Sequence, residues 1–160
     1  MREGSWKMGK TESDEDVVVI DGAGMILGRL ASVVAKSLLK DEKRRIVILN
    51  AEKVMVSGSR ENIFEEYKEK RDIGSREKGP YYPRTPDGIV KRTIRGMLPY
   101  KKARGRDALS RVKVYLGVPD EYKDVPKTRL KEAEGRLSLA KYVLLREVSE
   151  HLGWRPRGKL

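Results

Sequence analysis

The sequence predicts an α/β fold of three layers, α/β/α, around a central, mostly parallel sheet of about four strands. Two short apolar runs, Val17 to Asp21 and Arg45 to Asn50, lack polar alternation, as strands buried on both faces do. Between them, Arg29 to Lys40 places Leu30, Val33, Val34, Ser37 and Leu38 at helical spacing, so the connection reads as a crossover helix laid against the sheet. At 160 residues and 38% apolar content, the chain can bury roughly two thirds of its unfolded surface, enough for one core.

Residues 1–16 are polar, with Gly4, Gly9 and an acidic cluster from Glu12 to Asp16, and read as a flexible leader. Residues 17–160 read as a single α/β domain. After the first strand, helix and second strand, Val54 to Ser57 follows too closely for a parallel crossover and is expected to be a turn-linked addition. Ser57-Gly58-Ser59 opens a charged helix to about Asp72, with Ile63, Phe64 and Tyr67 facing inward. Gly74, Gly79-Pro80 and Pro83 punctuate a loop. Asp87 or Gly88 is expected to cap a short helix to about Leu98, with Ile89, Thr93 and Met97 docked and Lys91, Arg92 and Arg95 facing out. A basic turn then leads to a second short helix near Arg106 to Arg111, the strand Val112 to Leu116 and the turn Gly117-Val118-Pro119. Asp120 to Glu134 reads as irregular. Ser138 is expected to cap a last helix that buries Leu139, Tyr142, Val143, Leu145, Val148 and Leu152 and stops at Gly153.

Charge is distributed unevenly over this framework. The chain carries +12, and +9 of it lies between Arg76 and Lys113, where twelve Lys and Arg face only Glu77, Asp87 and Asp107. The preceding residues balance at 14 basic to 14 acidic. A solvated surface mixes its signs, so this stretch calls for an external counter-charge, and a polyphosphate backbone supplies one. The candidate contacts are Arg84, Lys91, Arg92, Arg95, Lys101, Lys102, Arg104, Arg106, Arg111 and Lys113, chiefly to phosphate and sugar. Arg29, Arg76 and Lys78 are secondary candidates, and Tyr81, Tyr82 and Tyr100 are potential platforms for unstacked bases. Gly105, inside the basic turn, is a place where backbone could approach a phosphate.

Other chemistries find less support. With no Cys there is no thiolate nucleophile, thiolate metal site or disulfide, and the chain reads as a protein of the reducing cytosol. The longest apolar runs are far below the roughly 20 residues that cross a bilayer, and no membrane partner is expected. His151, the only histidine, is placed in the last turn of the final helix, where an imidazole meets the C-terminal carbonyls favourably. Trp154 after Gly153 reads as a hydrophobic clasp. The main competitor is a nucleotide-binding α/β enzyme. A buried strand runs into Asp21-Gly22-Ala23-Gly24-Met25-Ile26-Leu27-Gly28, but the glycine spacing is one residue longer than a dinucleotide fingerprint, and Asn50 stands where its ribose-binding acid would be.

Arg95-Gly96-Met97-Leu98-Pro99, Gly105-Arg106 and Val112-Lys113-Val114-Tyr115-Leu116-Gly117 closely resemble the hallmark stretch of the large-subunit ribosomal protein thirteen family. Asp21-Gly22 with Leu27-Gly28-Arg29-Leu30-Ala31, Asn50-Ala51-Glu52-Lys53 with Ser57-Gly58, and Gly79-Pro80-Tyr81 are similar to further family stretches in the same order. His151-Leu152-Gly153-Trp154 resembles the archaeal and eukaryotic branch. The resemblance spans about Val17 to Trp154. It implies a small α/β/α fold, binding to large-subunit ribosomal RNA during subunit assembly beside other large-subunit proteins, a cytoplasmic ribosomal location, and neither catalysis, cofactor, metal nor small-molecule substrate.

Overall fold

A computed structural model describes residues 16–134 and 140–158. Three strands, β1 (Val17–Asp21), β2 (Arg45–Leu49) and β4 (Val112–Val114), form an all-parallel sheet in the order β1-β2-β4. The register sets Val18 beside Ile46 and Ile46 beside Val112. The α/β class and the parallel sheet agree with the sequence. The expected count of about four strands is approached by a single parallel bridge from Ile20 to Thr128 on the β1 edge.

Helix α1 (Leu27–Lys40) is the crossover between β1 and β2, and it buries Leu30, Ala31, Val34, Ala35 and Leu38 in the main core. Helix α3 (Pro86–Met97) packs beside it on the same face, over Ile20, Ile46, Ile48 and Val112. The opposite face, Val17, Val19, Val47 and Leu49, is covered by Tyr115, Val118, Tyr122 and Val125, so an irregular segment with one 3-10 turn at Asp120–Tyr122 forms that layer.

Strand β3 (Met55–Ser57), reached through a 3-10 turn at Ala51–Lys53, does not join the central sheet. It pairs antiparallel with β5 (Tyr142–Leu144) in a separate ribbon. This corrects the expected last helix. Ser138 and Leu139 lie outside the described residues, Tyr142 to Leu144 is extended with Tyr142 53% exposed, and α5 spans only Leu145–His151. Leu145, Val148 and Leu152 are nonetheless buried as expected. The stop at Gly153 is a Schellman end: Gly153 N–H donates to Glu150 O at 3.1 Å and Trp154 N–H to Ser149 O at 2.9 Å. Helix α2 (Arg60–Asp72) docks through Ile63 and Tyr67, and its Phe64 stacks on the exposed His151 ring at 4.4 Å.

Candidate nucleic-acid interface

The basic surface begins with how α3 is seated. Thr85, not Asp87 or Gly88, is its N-cap: Oγ1 accepts from Gly88 N–H at 3.3 Å, and Pro86 occupies the first turn, where its missing N–H costs nothing. The buried stripe is Pro86, Ile89, Val90, Ile94 and Leu98. The expected stripe Ile89, Thr93, Met97 held only at its first residue, because steps of four drift by about 40° each on a helix of 3.6 residues per turn. Met97 is accordingly 42% exposed, and Thr93 is half-buried with its hydroxyl donating to Ile89 O at 2.9 Å. Lys91 and Arg92 are exposed as expected. Arg95 lies over the Tyr100 ring, guanidinium carbon 4.3 Å from the centroid. One face of Tyr100 is thus taken by a cation.

Lys101 and Lys102 are exposed on the turn that follows, and helix α4 (Ala103–Ser110) starts earlier than the sequence suggested. Gly105 is buried against protein, not open to an incoming ligand. A Cβ there would lie 2.8 Å from Tyr100 N and still nearer the Pro99 carbonyl, so this glycine lets α4 close onto the Pro99-Tyr100 turn. Arg106 is exposed. Arg104 is also exposed but spends Nη2 on Leu39 O at 2.7 Å, tying α4 to the end of α1.

Arg111 is the exception within the basic segment. Its side chain is 11% exposed, Nη1 donates to Asp41 O at 2.8 Å and Arg44 O at 2.9 Å, and Nη2 donates to Leu38 O at 3.1 Å. It satisfies Leu38 O, which the C-terminus of α1 leaves without a helical donor, and two carbonyls of the turn from α1 into β2. Asp107 pairs with it at 3.3 Å, which occupies one of the few acids in the segment. Lys113 on β4 is exposed and meets Lys91 around a shallow hollow of about 260 Å³ lined also by Asp87, Gly88 and Tyr115.

Upstream, Ser75 and Gly79 exchange backbone hydrogen bonds at 3.0 and 2.9 Å, so Arg76, Glu77 and Lys78 form the tip of a tight hairpin. Arg76, Lys78 and Arg84 are exposed. Tyr82 instead belongs to the core margin, edge-on to Tyr67 at 6.0 Å, and burial raises the pKa of both phenols. Tyr81 alone of the three candidate platforms is open, at 72% exposure. Arg29 is exposed on a different element, the first turn of α1.

The glycine turn after β1 is closed to a nucleotide phosphate. Gly22 N–H donates to Leu49 O, Ala23 N–H to Asp21 Oδ1, Gly24 N–H to Lys53 O, Met25 N–H to Gly22 O and Ile26 N–H to Ala133 O, all within 3.1 Å. A phosphate-binding loop needs such donors free. Asn50 Nδ2 donates to Asp21 Oδ1 at 2.9 Å. Arg129 lies across the turn, donating to Ala23 O at 2.9 Å and Glu134 Oε1 at 2.9 Å and pairing with Asp21 at 3.5 Å. The dinucleotide reading is therefore corrected: this end of the sheet is latched by the chain's own side chains. Sequence reasoning missed Arg129 because the turn it latches, at Asp21 and Ala23, lies more than a hundred residues upstream. It also missed Arg155, exposed two residues beyond Gly153, where Arg84 Nη1 lies 3.8 Å from the position a Cβ would take. A count of charge along contiguous sequence cannot see a surface assembled from two stretches.

Among the described residues no group of three or more His, Asp or Glu side chains could hold a metal, and no helix is long and apolar enough to cross a membrane.

A family model described as ribosomal protein L13 matches residues 15–121. The large ribosomal subunit protein uL13 of Methanosarcina barkeri is 57% identical over 138 residues, covering 86% of this chain and 98% of the relative. The Archaeoglobus fulgidus protein of the same name is 52% identical over 143 residues, covering 88% and 90%. That of Methanopyrus kandleri is 45% identical over 152 residues, covering 93% and 94%.

Proposed function

Because the chain belongs to the ribosomal protein L13 family, we propose that it is a structural, non-catalytic component of the large ribosomal subunit, binding large-subunit ribosomal RNA and supporting early subunit assembly in the cytoplasm. Neighbouring large-subunit proteins are its other partners, and no small-molecule substrate, cofactor or membrane enters this role. One observation carries the RNA contact: α3, the turn after it and α4 bury their apolar faces while presenting Lys91, Arg92, Lys101, Lys102 and Arg106 to solvent. Of the two acids between Arg84 and Lys113, Asp87 is half-buried and Asp107 is paired with Arg111.

Rigid seating matters as much as charge. Lys and Arg on a helix whose other face is packed lose less freedom on binding than they would on a coil. Forked guanidinium contacts at Arg84, Arg92, Arg95 and Arg106, with point charges from Lys91, Lys101, Lys102 and Lys113, suit a phosphate and sugar track. Arg104 adds to it while holding Leu39, and Arg111 acts behind it as a positioning residue.

The test is RNA binding to large-subunit ribosomal RNA across salt concentrations. Each phosphate contact contributes a slope of roughly 0.7 to 0.9 in log affinity against log salt. Replacing Lys91, Arg92, Lys101 and Arg106 with Gln should lower that slope by about 3 to 4 with the fold intact. The same four-charge removal at exposed Lys36, Lys53, Lys68 and Lys131 should leave it nearly unchanged. Equal losses from both would mean that binding follows net charge and not this surface.

A further inference from the structure

Tyr81 stands largely in solvent without being free. It is the most exposed of the large hydrophobic side chains among the described residues, at 72%, yet it is held at two points. Its hydroxyl donates to Arg76 O at 2.9 Å, across the base of the hairpin tip. Its ring lies against Gly79: a Cβ on that residue would come 3.1 Å from both Cδ2 and Cε2. One side of the ring is thus braced by a residue without a side chain, the phenolic end is pinned to the backbone, and the rest is open to solvent. A lone surface aromatic is ordinary, and most rotate freely. This one is fixed in orientation, against a hairpin whose tip carries the exposed cations Arg76 and Lys78.

We infer that Tyr81 is a stacking shelf for one unpaired RNA base, set at the margin of the phosphate-binding surface. The inference rests on the RNA-binding reading above and names the kind of RNA it touches: a loop, bulge or strand end, since a base within a duplex has no face to offer. Aromatic side chains take single-stranded bases in this way, and flanking cations hold the adjacent phosphates. The pinned hydroxyl serves the same end, because a ring already oriented loses little freedom when a base settles on it. A proline or aromatic side chain of a neighbouring protein is the competing occupant. The two exposed cations on the hairpin tip favour the polyanion.

The experiment compares the full-length wild-type protein with Tyr81→Leu and Tyr81→Phe on three probes: a large-subunit ribosomal RNA transcript, oligouridine, and a fully paired RNA duplex, each across salt concentrations. Thermal unfolding of the free proteins confirms that the variants fold. Loss of one base stack should weaken binding of Tyr81→Leu to the transcript and to oligouridine by roughly 5- to 150-fold. The salt slope should not change, because no phosphate contact is removed. Tyr81→Phe keeps the ring and loses only the hydroxyl pin, so it should fall between wild type and Tyr81→Leu. Duplex binding should be indifferent to both variants. If wild-type binding to the transcript is steeply salt-dependent but Tyr81→Leu binds transcript and oligouridine equally well, the shelf is overturned and the phosphate surface stands. The same holds if Tyr81→Leu weakens duplex binding as much. If wild-type binding is flat with salt, the phosphate surface is overturned and the shelf with it.

Discussion

Arg111 Nη2 donates to the carbonyl of Leu38 at 3.1 Å, joining the residue just before β4 to the last turn of α1. With Asp41 O and Arg44 O also accepting from the same guanidinium, one side chain closes the end of the crossover helix onto the strand beside β2. Arg111→Met would keep the apolar stem and leave the Leu38 and Arg44 carbonyls without the donor they have now, while Asp41 O would keep only Arg44 N–H. A loss of about 3 kcal/mol is expected, or roughly 6–12 °C in Tm for a chain of this size, measured by thermal unfolding without RNA. Arg111→Lys should recover only part of it, since the three donors of an ammonium radiate from one nitrogen and cannot reach acceptors now served by two, Nη1 and Nη2.

Glycines on either side of Pro99 should respond with opposite sign. Gly105→Ala places a methyl group against the Pro99 and Tyr100 backbone, which cannot swing aside as a side chain could. It should cost about 1–3 kcal/mol and weaken RNA binding by displacing the turn that carries Lys101 and Lys102. Gly96→Ala meets nothing within 4 Å and lies inside α3, so it should stabilise the RNA-free protein by about 0.5–1 kcal/mol. Urea unfolding of both variants checks the pair.

The fold should weaken in alkali. Burial, then the neighbouring Tyr82 and Glu66, push the Tyr67 hydroxyl above its ordinary value of 10.0, and burial raises Tyr82 as well. A group that holds its proton more tightly when folded contributes stability that is complete below the unfolded pKa and is lost as pH rises beyond it. The urea midpoint should therefore hold steady to about pH 9 and decline from near pH 10 upward. Tyr67→Phe should reduce the decline, leaving the part due to Tyr82 and to Tyr122, whose hydroxyl burial also raises.

Nucleotides should not stabilise the protein. A ligand at a hundredfold its Kd would add about 2.7 kcal/mol, a shift of several degrees that is easily seen in thermal unfolding. NAD and ATP are expected to give none, because five consecutive N–H groups of the Gly22 to Ile26 turn are already engaged. A saturable shift with either would revive a cofactor role for that turn.

What was legible in the sequence follows how local each signal is. The buried runs of β1 and β2 and the period of α1 need only neighbouring residues to be recognised, and they appear as expected. Strand β5 does not: Tyr142 to Leu144 is as compatible with a helix as with a strand until Met55 to Ser57 is brought beside it. The basic segment was visible by counting, and counting weighs every cation alike. Arg111 differs from Arg106 only in having the carbonyls of α1 within reach, and those acceptors come from a distant stretch. The docked face of α3 was misjudged for a smaller reason, a four-residue step followed too far.

The ribbon of β3 and β5 gives the molecule an order of completion that differs from its order of synthesis. Elements β1 through β4 and the basic segment from Arg76 to Lys113 precede β5 in the chain, and domains assemble from the N-terminus as they are made. Yet Met55 to Ser57 cannot pair, and the core around Val54 cannot be sealed by Leu145, Val148 and Leu152, until the last stretch has left the translating ribosome. A nascent chain halted after β4 would already display its cations on an unsealed body. Emergence of β5 and α5 is thus the event that turns a sticky polycation into a sealed body.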